Sequence, residues 1–200
     1  MKIRPFAGSS RLPSFSCAAT LVLLATAALT ACGGGSKPAA APAPAALDTS
    51  TLAPSAKIDT KNDPALAACH NTYKPTSNDQ DVASDVAAMA KGCADATKMT
   101  KVGDTLKGAL SEKTAPVTFP LSAQAGKCYR IYGMSQSTMQ DFDILVMDSS
   151  KGLVAQDTTD DVSPVLDEDG KFCFKTADAA TIRASAGAGA GNFALEVWSD

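Results

Sequence analysis

Residues 127–148 read KCYRIYGMSQSTMQDFDILVMD, and the fold is read outward from them. Cys128 to Tyr132 is a strand-like run, and Ser135 to Gln140 is a polar loop. Phe142, Ile144 and Val146 then alternate with Asp143, Leu145 and Met147, so this second run is apolar on most of both faces. Such a run suits a central strand. The flanking sequence repeats the pattern. Val117, Phe119 and Leu121 alternate with Thr118, Pro120 and Ser122. Leu153 to Gln156, Pro164 to Leu166, Phe172 to Phe174, Ala180 to Ala184 and Phe193 to Val197 follow, separated mostly by Asp, Gly and Ser turns. Short strands at this spacing predict a mainly β chain, with a β-sandwich over 101–200. Gly187-Ala-Gly-Ala-Gly191 predicts a flexible hairpin between the last two strands. Its spacing is wrong for a dinucleotide loop.

Upstream, over 57–100, the apolar period is helical. Asp63-Pro64 is a start signal, an N-cap followed by proline at the first helical position. Leu66, Cys69 and Tyr73 then share one face, until Lys74-Pro75 breaks the pattern. A second helix starts between Asn78 and Asp81 and carries Val82, Val86, Met89 and Cys93 on one stripe. Before these helices, 32–56 is Ala/Pro-rich with a Gly-Gly-Gly-Ser start. This stretch can bury nothing and is expected to be a disordered tether.

The chain begins with Met1 to Ser16, which carries Lys2, Arg4 and Arg11 and no acid. Cys17 to Ala31 is an apolar run shorter than the ~20 residues that span a bilayer. Together, 1–31 read as a secretory signal peptide. Its end, Leu29-Thr30-Ala31-Cys32, resembles the bacterial lipoprotein lipobox. That resemblance implies cleavage before Cys32, lipid on its thiol and an acylated amino terminus, hence a membrane anchor in the cell envelope. Gly33, in place of aspartate, implies the outer membrane. Several acyl chains give stable anchoring where one is marginal. The remaining chain has 15 basic and 21 acidic residues, a net charge of −6. That balance, with no Lys/Arg stripe, argues against nucleic acid as a partner.

With Cys17 removed and Cys32 lipidated, four cysteines remain: Cys69, Cys93, Cys128 and Cys173. An even number in an oxidising compartment predicts two disulfides. Three connectivities are open. Cys69–Cys93 with Cys128–Cys173 is favoured, because each pair then falls within one structural unit.

The strand residues resemble the bacterial pre-peptidase C-terminal domain, a jelly-roll-like β-sandwich. The resemblance rests on Phe119 to Ala123, Ala125-Gly-Lys-Cys-Tyr129, Asp141-Phe-Asp-Ile-Leu145, Asp148-Ser-Ser-Lys-Gly152, Phe172-Cys-Phe174 and Gly189 to Val197. It covers roughly Val102 to Trp198. Gly126 to Arg130, the acidic loop before Pro164-Val165 and the closing Val197-Trp198 are similar to cysteine-containing versions in myxobacterial envelope lipoproteins. The family implies a fold and shares no catalytic residues. Its usual protease companion is missing here.

The candidates for chemistry are few. His70 is the sole histidine and sits in an alanine-rich helix, where a polar surface residue is expected. Zinc at Cys69, His70 and Cys93 is short of ligands. No cofactor motif is present. Asp141, Asp143 and Asp148 bracket one strand, and Asp157, Asp160 and Asp161 share the next loop. These six are weak calcium candidates, without EF-hand spacing. Tyr129, Tyr132 and Trp198 read as core before sugar platform. Three function classes remain. The leading one is a non-enzymatic envelope binding module that meets a protein or glycan through sandwich loops. The others are a calcium-dependent adhesion or carbohydrate-binding module, and a hydrolase of unfamiliar type.

Overall fold

The computed structural model describes residues 49–72, 81–157, 159–166 and 170–200. The expected signal peptide (1–31), Cys32, the tether up to residue 48 and the Asp167-Glu168-Asp169 turn lie outside them. The described chain is mainly β. In order it runs β1 (Ile58–Asn62), α1 (Pro64–Thr72), α2 (Val82–Thr97), β2 (Thr100–Lys101), β3 (Leu106–Ser111) and β4 (Val117–Ala123). Then come β5 (Cys128–Ser135), β6 (Met139–Met147), β7 (Leu153–Gln156), β8 (Gly170–Phe174) and β9 (Asp178–Ser199).

The last strand is the axis of the fold. Its first half lies between β4 and β6, and β7 extends that first sheet. Its second half lies between β3 and β5, and β8 and β1 extend the second sheet. The expected hairpin at Gly187 to Gly191 is therefore a bend within one continuous strand of 22 residues. Small residues let the strand change sheets. Gly189 has φ +82°, and a methyl there would strike the Thr138 carbonyl. Opposite the bend, β6 shifts register on either side of Asp141, and such bulges sharpen local twist.

Alternation puts one face of each sheet into a shared core. Phe142, Ile144, Val146, Ile182 and Leu121 from the first sheet meet Tyr129, Ile131, Phe172, Phe193 and Leu195 from the second. The outer face of the second sheet is covered by helix. Val86, Met89, Ala90 and Cys93 of α2 pack on Tyr132, Met134, Val165 and Ala194. Leu66 of α1 packs with Ala94, Met99 and Trp198. Asp81 caps α2 by accepting from the Ser84 amide at 3.1 Å.

Two disulfides each staple neighbours within one layer. Cys69–Cys93 joins α1 to α2 across a Cα separation of 5.2 Å. Cys128–Cys173 joins directly opposed residues of β5 and β8.

Three local expectations change. The 57–100 segment is not wholly helical, because it opens with β1 on the edge of the second sheet. The tether expected over 32–56 is docked at its end. Ser55 is buried and its amide donates to the Leu153 carbonyl at 2.7 Å. A strand at Leu106–Ser111 was not expected. Gly108 interrupts its apolar alternation, and the gap admits the Phe193 ring.

Candidate functional site

The acidic strand β6 spans the first sheet, and its two ends differ. At the far end, Asp148 closes the β6–β7 turn. It accepts from the Ser55 hydroxyl at 2.5 Å and from the Ser150 and Gly152 amides at 2.7 and 2.9 Å. Burial pushes its carboxyl up, but these donors and the nearby Lys57 outweigh it and hold the group below the usual range. Asp148 is a turn lock. It lies about 23 Å along the strand from Asp141, at the usual strand rise per residue, so the six aspartates are not one site.

At the near end the carboxylates do gather. The 157–161 loop folds back on β6. The Asp157 amide donates to the Ile144 carbonyl at 2.8 Å, and the Phe142 amide donates to the Asp161 carbonyl at 2.9 Å. This brings Asp160 and Asp161 beside Asp141 and Asp143. Two of the loop acids already serve the loop. Asp157 accepts from the Thr159 hydroxyl at 2.8 Å, and Asp161 accepts from the Ser163 amide at 2.7 Å.

Asp141 and Asp143 converge over Gly187. A methyl on that glycine would collide with Asp141 Oδ2 and lie 3.2 Å from Asp143 Oδ2. Burial, then the Asp141 and Asp160 charges, pushes the Asp143 carboxyl up to about 6. Burial, then Asp160 and Asp161, pushes Asp141 up as well. No ion pair among the described residues involves Asp141, Asp143, Asp160 or Asp161. A cleft of about 120 Å³ opens beside them, lined by Thr49, Asp143, Leu145, Gln156, Asp157 and Ser185. Gln156, Ser185 and Gly187 carry no signal in the sequence, since only strand register brings them to the acids, and Thr49 reaches the cleft from the segment before β1.

The calcium expectation meets this geometry directly. Among the described residues, no group of three or more His, Cys, Asp or Glu is arranged to hold a metal ion. Zinc at Cys69, His70 and Cys93, already short of ligands in the sequence, has no thiolates to use here, because Cys69 and Cys93 form the expected disulfide. Among the described residues, Tyr129, Tyr132 and Trp198 offer no sugar platform. Tyr129 and Tyr132 are buried, and Trp198 lies partly buried on the helix-covered face. Burial pushes the Tyr132 phenol up to about 12, with Arg130 opposing and Asp63 adding to the shift. No described helix is long and apolar enough to cross a membrane.

No family model matches the chain, and no curated protein matches it in sequence. Among solved structures, the chain is similar to the pre-peptidase C-terminal domain of a collagenase from Bacillus anthracis. The two are 14% identical, with a TM-score of 0.35, over 47% of this chain and 87% of that domain.

Proposed function

We propose that the protein is a non-enzymatic binding module of the cell envelope, anchored by lipid on Cys32, whose acidic end receives a positively charged segment of an envelope protein. The observation that carries this reading is the gathering of Asp141, Asp143, Asp160 and Asp161 without an ion pair among the described residues. Carboxylates crowded in this way favour a cation brought by a partner. The adjoining cleft, at about 120 Å³, is small beside the ~300–1,000 Å³ of ordinary substrate pockets. At this end it fits a side chain better than a substrate.

The test is binding of a lysine-rich peptide to the full chain and to the D143N/D160N/D161N variant. Exposed charge pairs contribute about 0.2–1 kcal/mol each, so the variant is expected to bind roughly tenfold more weakly. Equal binding by both proteins overturns the reading. Anchoring is tested separately by palmitate labelling. C32S is expected to lose both label and membrane fractionation, and a labelled, membrane-bound C32S protein contradicts the anchor.

A further inference from the structure

The two disulfides sit in different surroundings, and the difference has a chemical consequence. Cys128 and Cys173 are 1% and 5% exposed and face each other across two paired strands. The chain end closes over this pair. The Cys128 amide donates to Asp200 Oδ1 at 3.0 Å, and the Asp200 amide donates back to the Cys128 carbonyl at 3.3 Å. In the other bridge, Cys93 is 1% exposed beneath α2, but Cys69 is only partly buried on α1. An attacking thiolate needs access to a sulfur, and exposed bridges are the labile ones.

What Cys69 holds is a weak element. α1 has nine residues, short of the roughly 12–15 that an isolated helix needs in water. Leu66 is its one fully buried side chain among those described, and it caps a small cluster of Ala94, Met99 and partly buried Trp198. The neighbouring α2 is different. Its 16 residues carry a capped start and four apolar side chains set into the second sheet. Opening the helix bridge therefore costs α1 its hold and leaves α2 in place.

We propose that Cys69–Cys93 is a redox latch: a dithiol reductant opens it selectively, α1 leaves α2, and the apolar cluster at Met99 and Trp198 is uncovered while the sandwich stays folded. In the chemical step, one thiolate of the reductant attacks Cys69 Sγ, and the Cys69–Cys93 bond breaks with its electron pair on Cys93. The second reductant thiol then attacks the mixed disulfide and expels Cys69. The protein gains two electrons and two protons, and the reductant becomes its own intramolecular disulfide.

Trp198 is the sole tryptophan, so emission comes from this cluster, and the alkylation pattern says which bridge has opened. The experiment titrates the full chain with dithiothreitol without denaturant. It follows Trp198 emission, far-ultraviolet circular dichroism and, by alkylation and peptide mass spectrometry, which cysteines are free. The expected result is alkylation of Cys69 and Cys93 first, a red shift of emission in step with it, and an unchanged β spectrum. Prior or simultaneous reduction of Cys128–Cys173 overturns the latch. So does free Cys69 and Cys93 with unshifted emission. C69S/C93S gives a second reading. It is expected to emit red-shifted light without reductant, and an emission equal to the wild type contradicts the proposal.

Discussion

The two sheets share one strand and one core, yet their outer faces have opposite characters. The second sheet is roofed by α1 and α2, and beneath that roof even charged groups are buried. Arg130 is fully buried, donates to the Gly170 carbonyl at 3.1 Å and lies 5.4 Å over the Tyr132 ring centroid. Glu196 accepts from Lys101, Thr105 and Trp198. Among the described residues, no helix roofs the first sheet in this way. Thr118, Pro120 and Ser122 of its edge strand are exposed, and its acidic end gathers carboxylates without ion pairs. Charge on the roofed face is satisfied internally and belongs to stability. Charge at the acidic end has no ion-pair partner among the described residues.

Substitutions should separate these faces. Tyr132→Ala, under α2, is expected to destabilise by about 3–5 kcal/mol, the scale for a large core aromatic. Ser185→Ala, on the open face, should stay within about 0.5 kcal/mol. Urea unfolding measures both, and similar losses at the two sites would erase the contrast. Tyr132→Phe sharpens it further. The Tyr132 hydroxyl is buried with no hydrogen-bond partner among the described residues, so its removal should be neutral or stabilising.

Next in size is the bridge within the second sheet. Cys128 and Cys173 are 45 residues apart, and loop closure of that length contributes about 4 kcal/mol. C128S/C173S is expected to lose that much in denaturant unfolding. A loss below about 1 kcal/mol would show that the β5–β8 register holds without it. At the acidic end, Gly187→Ala puts a methyl into the Asp141 carboxylate. It is expected to cost about 1–3 kcal/mol, as overpacking does. An unchanged unfolding midpoint would mean that the two carboxylates do not converge there.

The smallest effect is also the most specific. Asp143 has a folded value of about 6, above its unfolded value near 4. The folded chain therefore holds this proton more tightly. The stability it contributes is complete below about pH 4 and is lost as pH rises through about 6. Asp148, Asp178 and Asp200 are shifted down, so their contribution is present above pH ~4 and lost at lower pH. Between about pH 4.5 and 6.5, thermal stability should fall as pH rises, and Asp143→Asn should flatten that slope. A steep slope in the variant assigns it to another group. Millimolar Ca²⁺ should leave the melting temperature unchanged, because among the described residues no group of three or more His, Cys, Asp or Glu is arranged to hold a metal ion. A rise reversed by chelator would restore the calcium reading.

The strands with regular alternation were legible, as Phe142, Ile144 and Val146 show, because a period of two survives any register. The helices were legible from Asp63-Pro64 and from the Val82, Val86, Met89, Cys93 stripe. The bend in β9 was not, because glycine and alanine read as a turn unless the opposing bulges at Asp141 are known. β1 was missed because its polar residues sit on an edge where only Ile58 packs inward. The candidate site was half legible. The aspartates stand out, but their division into a turn lock and an open cluster depends on which end of β6 each occupies.

The central claim is that the acidic end is the binding surface. Amide and side-chain NMR of the full chain, titrated with a lysine-rich peptide, tests it most directly. The account predicts shifts confined to Asp141–Asp143, Gln156–Asp161 and Ser185–Gly187, abolished by raised salt. Shifts centred on α2 and the second sheet, or none at all, would contradict it.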